Sequence, residues 1–179
     1  MNKPITAVFA SVAVTALLSG CAQAPDVQAR AVAQCGTEGL ESATGRTDVC
    51  SAESVLLAAV ETIFGYRPSD QSDQRAAFRA AGDLIAPSFA EQAEPSALVW
   101  APISAQQWQH WRRDGIDIAT LVRLTRDDHP PDTSTSTGRV LSVEVRPADQ
   151  PPIGFTVYAR AGRTTTSAAW QLTGLEVIA

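Results

Sequence analysis

The sequence predicts an α+β domain in which helices pack on the concave face of a curved, four-stranded antiparallel sheet. Three observations lead there. Apolar residues recur at helical spacing as far as Gly115, and from Ile116 the period changes to two. In the last apolar segment the buried parity switches around Gly174, as a bulge or bend in a curved sheet requires. Helices followed by four consecutive strands on short connections suit an antiparallel sheet covered on one face, and no internal repeat is present.

Each element has its own signal. From Ser51, the residues Val55, Leu56, Ala59, Val60, Ile63 and Phe64 form a helical stripe that Gly65 ends. After a polar turn from Arg67 to Ser72, Asp73 caps a second helix with Ala77, Ala80, Ala81, Leu84 and Ile85 on its buried side. Pro87 stops or restarts that helix, giving a short third turn over Ser88 to Ala93. Ser104 and Gln107 fit a capping box, Trp108 and Trp111 lie one turn apart on the same face, and Gly115 is the expected carboxyl-terminal cap. Strands are expected from Ile116 to Thr125, from Arg139 to Arg146, around Phe155, Val157 and Ala159, and from Ala168 to Ile178. Trp108, Trp111 and Trp170 are the expected centre of helix-to-sheet packing, or else the lining of an apolar pocket.

The amino terminus sets the location. Lys3 precedes an uncharged apolar run from Ile5 to Leu18, which is shorter than the ~20 residues needed to cross a bilayer. Leu18-Ser19-Gly20-Cys21 resembles the bacterial lipobox, which implies that residues 1–20 are a cleaved signal peptide and that Cys21 carries the lipid. Two acyl chains anchor stably where one does not, so the expected location is the extracytoplasmic face of the cell membrane.

Of 14 cationic residues Lys3 is the sole lysine and leaves with the signal; the 13 arginines that remain face 19 acids, a net charge of −6. That sign disfavours nucleic acid as a partner. Residues 21–50 carry few large apolar side chains and read as a flexible stalk, reaching on the order of 30 Å. Within it Cys35 and Cys50 are expected to form a disulfide in an oxidising compartment, local and separate from the core because both precede the first helix. No metal is expected there, since no histidine lies nearby and the spacing matches no zinc pattern. Residues 51–179 are then one domain.

The order of elements resembles the nuclear transport factor 2-like cone fold. It is similar in particular to the periplasmic domain of the assembly subunit of type IV secretion systems. The segments Trp108-Gln109-His110-Trp111 and Asp127-Asp128-His129-Pro130-Pro131-Asp132-Thr133, with the ending around Trp170, look like small exported proteins of actinobacterial mobile elements. The secretion subunits use an uncleaved transmembrane helix, whereas this chain has a lipobox. The resemblance implies a protein partner in the cell envelope, in a conjugation or secretion apparatus.

No catalytic constellation is identified, and no cofactor is implied. His129 among Asp127, Asp128 and Asp132 reads as part of a rigid, solvated turn. His110 reads as a surface or boundary residue, and Tyr158 and Asp117 point away from the apolar faces of their strands. Two functions remain open: an interaction or scaffold domain at the membrane surface, and a small-molecule-binding or enzymatic cone whose pocket the three tryptophans line.

Overall fold

A computed structural model describes residues 35, 40–42, 45–126 and 129–178. The signal peptide, Cys21, Asp127 and Asp128 lie outside the described residues. Two short strands come first, β1 (Leu40–Ser42) and β2 (Gly45–Thr47), paired as an antiparallel hairpin. Helices α1 (Ala52–Ile63), α2 (Gln74–Ala80), α3 (Pro87–Ala93) and α4 (Ala105–Asp114) follow. The chain ends in strands β3 (Ile118–Leu124), β4 (Ser136–Pro147), β5 (Ile153–Gly162) and β6 (Gln171–Ile178). These four form one open antiparallel sheet in sequential order. The fold is α+β, as the change of period predicts.

Helix α1 is the element the sequence specifies best. The Ser51 hydroxyl accepts the Ser54 N–H at 3.3 Å, closing one of the donors a helix start leaves open. Val55, Leu56, Ala59, Val60, Ile63 and Phe64 are all buried, and the helix lies across the sheet, with Thr120 Oγ1 of β3 donating to the Phe64 carbonyl at 2.7 Å.

Helix α2 stops earlier than expected. Asp73 caps it, accepting from the Arg75 N–H at 2.9 Å. The chain leaves the α-helix at Ala81, makes a 3₁₀ turn over Gly82–Leu84, and pairs with the sheet: Ile85 bridges Leu172, and the Ala86 N–H donates to the Leu172 carbonyl at 2.9 Å. That pairing satisfies backbone groups which another helical turn would have used otherwise. With the helix ended there, Ala80 is exposed rather than buried, and Phe78 takes its place in the core, edge-on to Trp100 at 5.4 Å. Pro87 opens α3 at a first-turn position, where its missing N–H costs nothing. A 3₁₀ segment, Glu94–Leu98, then leads toward α4.

Both caps of α4 form. Ser104 Oγ accepts the Gln107 N–H at 3.1 Å, and Gly115 adopts the left-handed conformation at φ 64°. Among the described residues the reciprocal half of the capping box, from the Ser104 N–H to the Gln107 side-chain oxygen, does not form, and the Gln107 amide nitrogen donates to Gln150 Oε1 at 2.9 Å.

In the sheet, Leu141, Val143 and Val145 of β4 and Phe155, Val157 and Ala159 of β5 are buried on the helix-covered face. The parity switch in the last strand has the expected cause. Arg160 pairs with Gly174 and Ala161 with Leu172, so Thr173 is an extra residue on β6. This bulge lets Leu172 on one side, and Leu175 and Val177 on the other, all reach the core. Trp170 lies just before β6 rather than within it.

The segment 21–50 is not uniform. Val49 and Thr47 are buried, and the Trp170 N–H donates to the Val49 carbonyl at 2.9 Å, so its last residues belong with the packed unit that spans Val32–Ala179. No helix among the described residues is long and apolar enough to cross a membrane.

Candidate functional site

All three tryptophans are packed, but not as one cluster. Trp111 is 0% exposed, Trp108 3% and Trp170 7%. On the α4 side a chain of edge-on rings runs from Trp108 to Tyr66 (5.5 Å), to Phe64 (6.2 Å) and to Phe155 (5.0 Å), tying α4 and the end of α1 to β5. Helix α4 sits at the β4–β5 hairpin, where Gln107 meets Gln150 and His110 meets Asp149. Trp170 lies at the other end of the sheet, since its neighbour Gln171 pairs with Gly162, which pairs with Ser136. There it lies under the Arg163 guanidinium, 4.4 Å from the ring centroid. The expected single tryptophan centre is therefore two centres, because the residue before the last strand starts far from the helix-to-strand turn.

The Trp108 and Trp111 indole N–H groups are buried with no hydrogen-bond partner among the described residues. Each costs about 1–3 kcal/mol relative to a satisfied donor, so these rings are held by contact area alone.

His110 is more engaged than a plain surface residue. Its Nδ1 lies 2.7 Å from Asp114 and its Nε2 2.9 Å from Asp149, which clips α4 to the connection between β4 and β5. Arg113, with His110, holds the Asp114 carboxyl below the usual range. The arrangement fixes α4 against the connection between β4 and β5.

His129 and Asp132 belong to a clasp centred on Arg139, which the sequence did not reveal. Arg139 donates to both Asp132 oxygens at 2.8 and 2.7 Å, and through Nε to Glu53 at 2.9 Å. Thr137 donates to the same Asp132 carboxylate. Arg139 and then Thr137 hold the Asp132 carboxyl well below the ordinary range. The loop is thus pinned to the start of α1 through an inward-facing arginine. Its contribution to stability is full above the ordinary aspartate range and fades as pH falls through and below that range. His129 stands at the edge, 3.3 Å from Arg139 Nη1. Replacing His129 by Ala should change stability by no more than about 0.5 kcal/mol, while Arg139→Met should cost on the order of 1 kcal/mol. Urea titration at neutral pH separates the two.

Tyr158 and Asp117 are placed as the sequence predicts, off the buried faces. The Tyr158 ring lies over Gly138, where an added Cβ would be 2.6 Å from its hydroxyl, and Arg160 is 5.7 Å from the ring centroid.

Cys35 and Cys50 are free thiols, and the Cys50 side chain pushes the Cys35 thiol up. Their setting is not local. The Cys35 N–H donates to the Ser167 carbonyl at 2.9 Å, and its sulfur lies 3.5 Å from the Ala168 carbonyl, in the β5–β6 connection. Sequence separation alone cannot show this, because what holds Cys35 lies 133 residues away.

Comparison with protein-family models, with curated proteins and with solved structures found no match.

One cavity stands apart from the tryptophans. It has a volume of about 200 Å³ and is lined by Glu61 and Thr62 at the end of α1, by Gly65, Tyr66, Arg67 and Gln71 after it, by Ala80, and by Ile118 and Thr120 of β3. Gly65 makes the turn possible, since a Cβ there would sit 2.9 Å from the Glu61 carbonyl oxygen. The sequence reads Arg67 to Ser72 as a polar turn and assigns no role to Tyr66.

Proposed function

We propose that this chain is a lipid-anchored interaction or scaffold domain on the extracytoplasmic face of the cell membrane, built on a cone-like sheet and serving an envelope assembly such as a conjugation or secretion apparatus. The observation that carries the choice is the packing of Trp108, Trp111 and Trp170, all at most 7% exposed. Tryptophans that fill the interior support a structural core, whereas a ligand-binding or catalytic cone would expose them to a cavity. The anchor rests on the lipobox resemblance at Cys21.

The sheet supplies the interaction surface. Helices cover one face, and the other presents Leu121, Val140, Tyr158 and Ile178 among Arg123, Glu144, Arg160 and Glu176. Mixed apolar and charged groups on a rigid sheet are what a protein partner recognises.

Two experiments test this reading. A Cys21→Ala chain should leave the membrane fraction, because the lipid on Cys21 is the proposed anchor and no helix among the described residues is long and apolar enough to cross a bilayer; retention after a high-salt wash would remove the lipid anchor from the account. A photo-crosslinking residue at Tyr158 or Leu121, in the producing cell, should give a discrete adduct with one envelope protein. The same residue at Gln106 on α4 should give none. Failure at every sheet-face position would rule out the interaction surface.

A further inference from the structure

We propose that the cavity beside Tyr66 is a binding site for a small zwitterion of the amino-acid class. Its size comes first. About 200 Å³ is below the ~300–1,000 Å³ of pockets for drug-sized ligands, so the occupant has few heavy atoms.

Its polar groups come next. Tyr66 is 1% exposed, and burial alone pushes its hydroxyl above the usual range, with no hydrogen bond contributing. Gln71 is 7% exposed; its Oε1 accepts the Arg67 N–H at 2.7 Å, while its amide nitrogen makes no protein hydrogen bond among the described residues. Neither atom is among the fully enclosed orphans, in contrast to the two indole nitrogens. Buried polar groups of this kind are ordinarily partnered, and both line the cavity. The Thr62 and Thr120 hydroxyls are already committed as donors, to the Ala58 and Phe64 carbonyls, which leaves their oxygens able to accept.

The lining carries one charge of each sign, Glu61 and Arg67. Glu61 lies in the last turn of α1, which has no basic residue. The helix carbonyl end adds negative potential beside that carboxylate, a favourable place for an ammonium group. Arg67 and the free Gln71 amide offer donors suited to a carboxylate. Glu61 and Arg67 line the same cavity without forming an ion pair with each other, so each charge is available to a ligand. A single-charge ligand would pair with one of these groups and leave the other without a partner of opposite sign. A zwitterion satisfies both.

Isothermal titration of the mature chain carrying Cys21→Ser, with each of the twenty standard amino acids, tests the site. One or more should bind saturably. The N-acetylated form, which lacks the ammonium, and the carboxamide, which lacks the carboxylate, should each bind about tenfold more weakly or worse. Glu61→Gln and Arg67→Gln should weaken the amino acid by a similar factor. Tyr66→Phe, which removes only the hydroxyl and leaves the ring packing, should weaken it several-fold, with a native circular dichroism spectrum. Absence of saturable binding by all twenty would overturn the proposal, as would equal affinity for the blocked analogues, or unchanged affinity in both charge variants.

Discussion

Trp111→Ala is expected to cost the domain about 3–5 kcal/mol, the range for truncating a large buried aromatic. Trp111 is the largest of the fully buried side chains and is 0% exposed. It sits on α4 between the caps at Ser104 and Gly115, so the backbone cannot easily move to fill the void. Against the ~5–15 kcal/mol that holds a domain of this size, such a loss leaves much of the chain unfolded. Trp111→Phe is the informative partner. It removes ring volume but also deletes the unpartnered indole N–H, and that second change returns part of the cost. Denaturant unfolding should therefore place Trp111→Phe well nearer to wild type than to Trp111→Ala. A loss below about 1 kcal/mol for the alanine variant would mean that the ring is not core, and the ligand-binding cone would then be the better reading of the fold.

Local physics explains how far the sequence could be read. Helix α1, the caps of α4, the strand faces of β4 and β5, and the switch between Leu172 and Leu175 are all set by near neighbours in the chain, through capping and through period. They were legible for that reason. The end of α2 was not, because Ile85 and Ala86 are drawn off by Leu172 on the last strand. Position Ala80, assigned to the core by its spacing from Ala77, is exposed as a result.

The same division holds for the functional groups. His129 and Asp132 were visible as a polar cluster, but their organiser, Arg139, lies on β4 and reaches Glu53 on α1. A residue read only as the start of a strand proved to be the centre of the clasp. Gln71 reads as a turn residue and Tyr66 carries no signal, because a cavity between a helix end and the edge strand β3 has no signature along the chain. The separation of Trp170 from Trp108 and Trp111 follows from strand register, which becomes known only when β5 and β6 are paired.

Oxidation of Cys35 with Cys50 is the second large effect expected. Closing a loop of about 15 residues restricts the unfolded chain by roughly 3 kcal/mol in the chain-entropy picture, and Cys50 is near enough to Cys35 to push its thiol up. The bond would do more than shorten a stalk. Cys35 is held to Ser167 and Ala168, and Val49, next to Cys50, is held to Trp170. A covalent link between the two cysteines would therefore clamp both sides of this segment against the β5–β6 connection. Cys35→Ser is accordingly expected to lower the stability of the oxidised chain by about 3 kcal/mol and to leave the reduced chain within about 0.5 kcal/mol of wild type. Denaturant unfolding with and without a thiol reductant measures both numbers. Hydrogen exchange supplies the structural half: the Cys35 and Trp170 amides should be protected in the oxidised chain and should exchange faster once it is reduced. If peptide mapping of the exported protein finds both thiols free, the clamp does not form in the cell, and the segment is held by its hydrogen bonds to the β5–β6 connection alone.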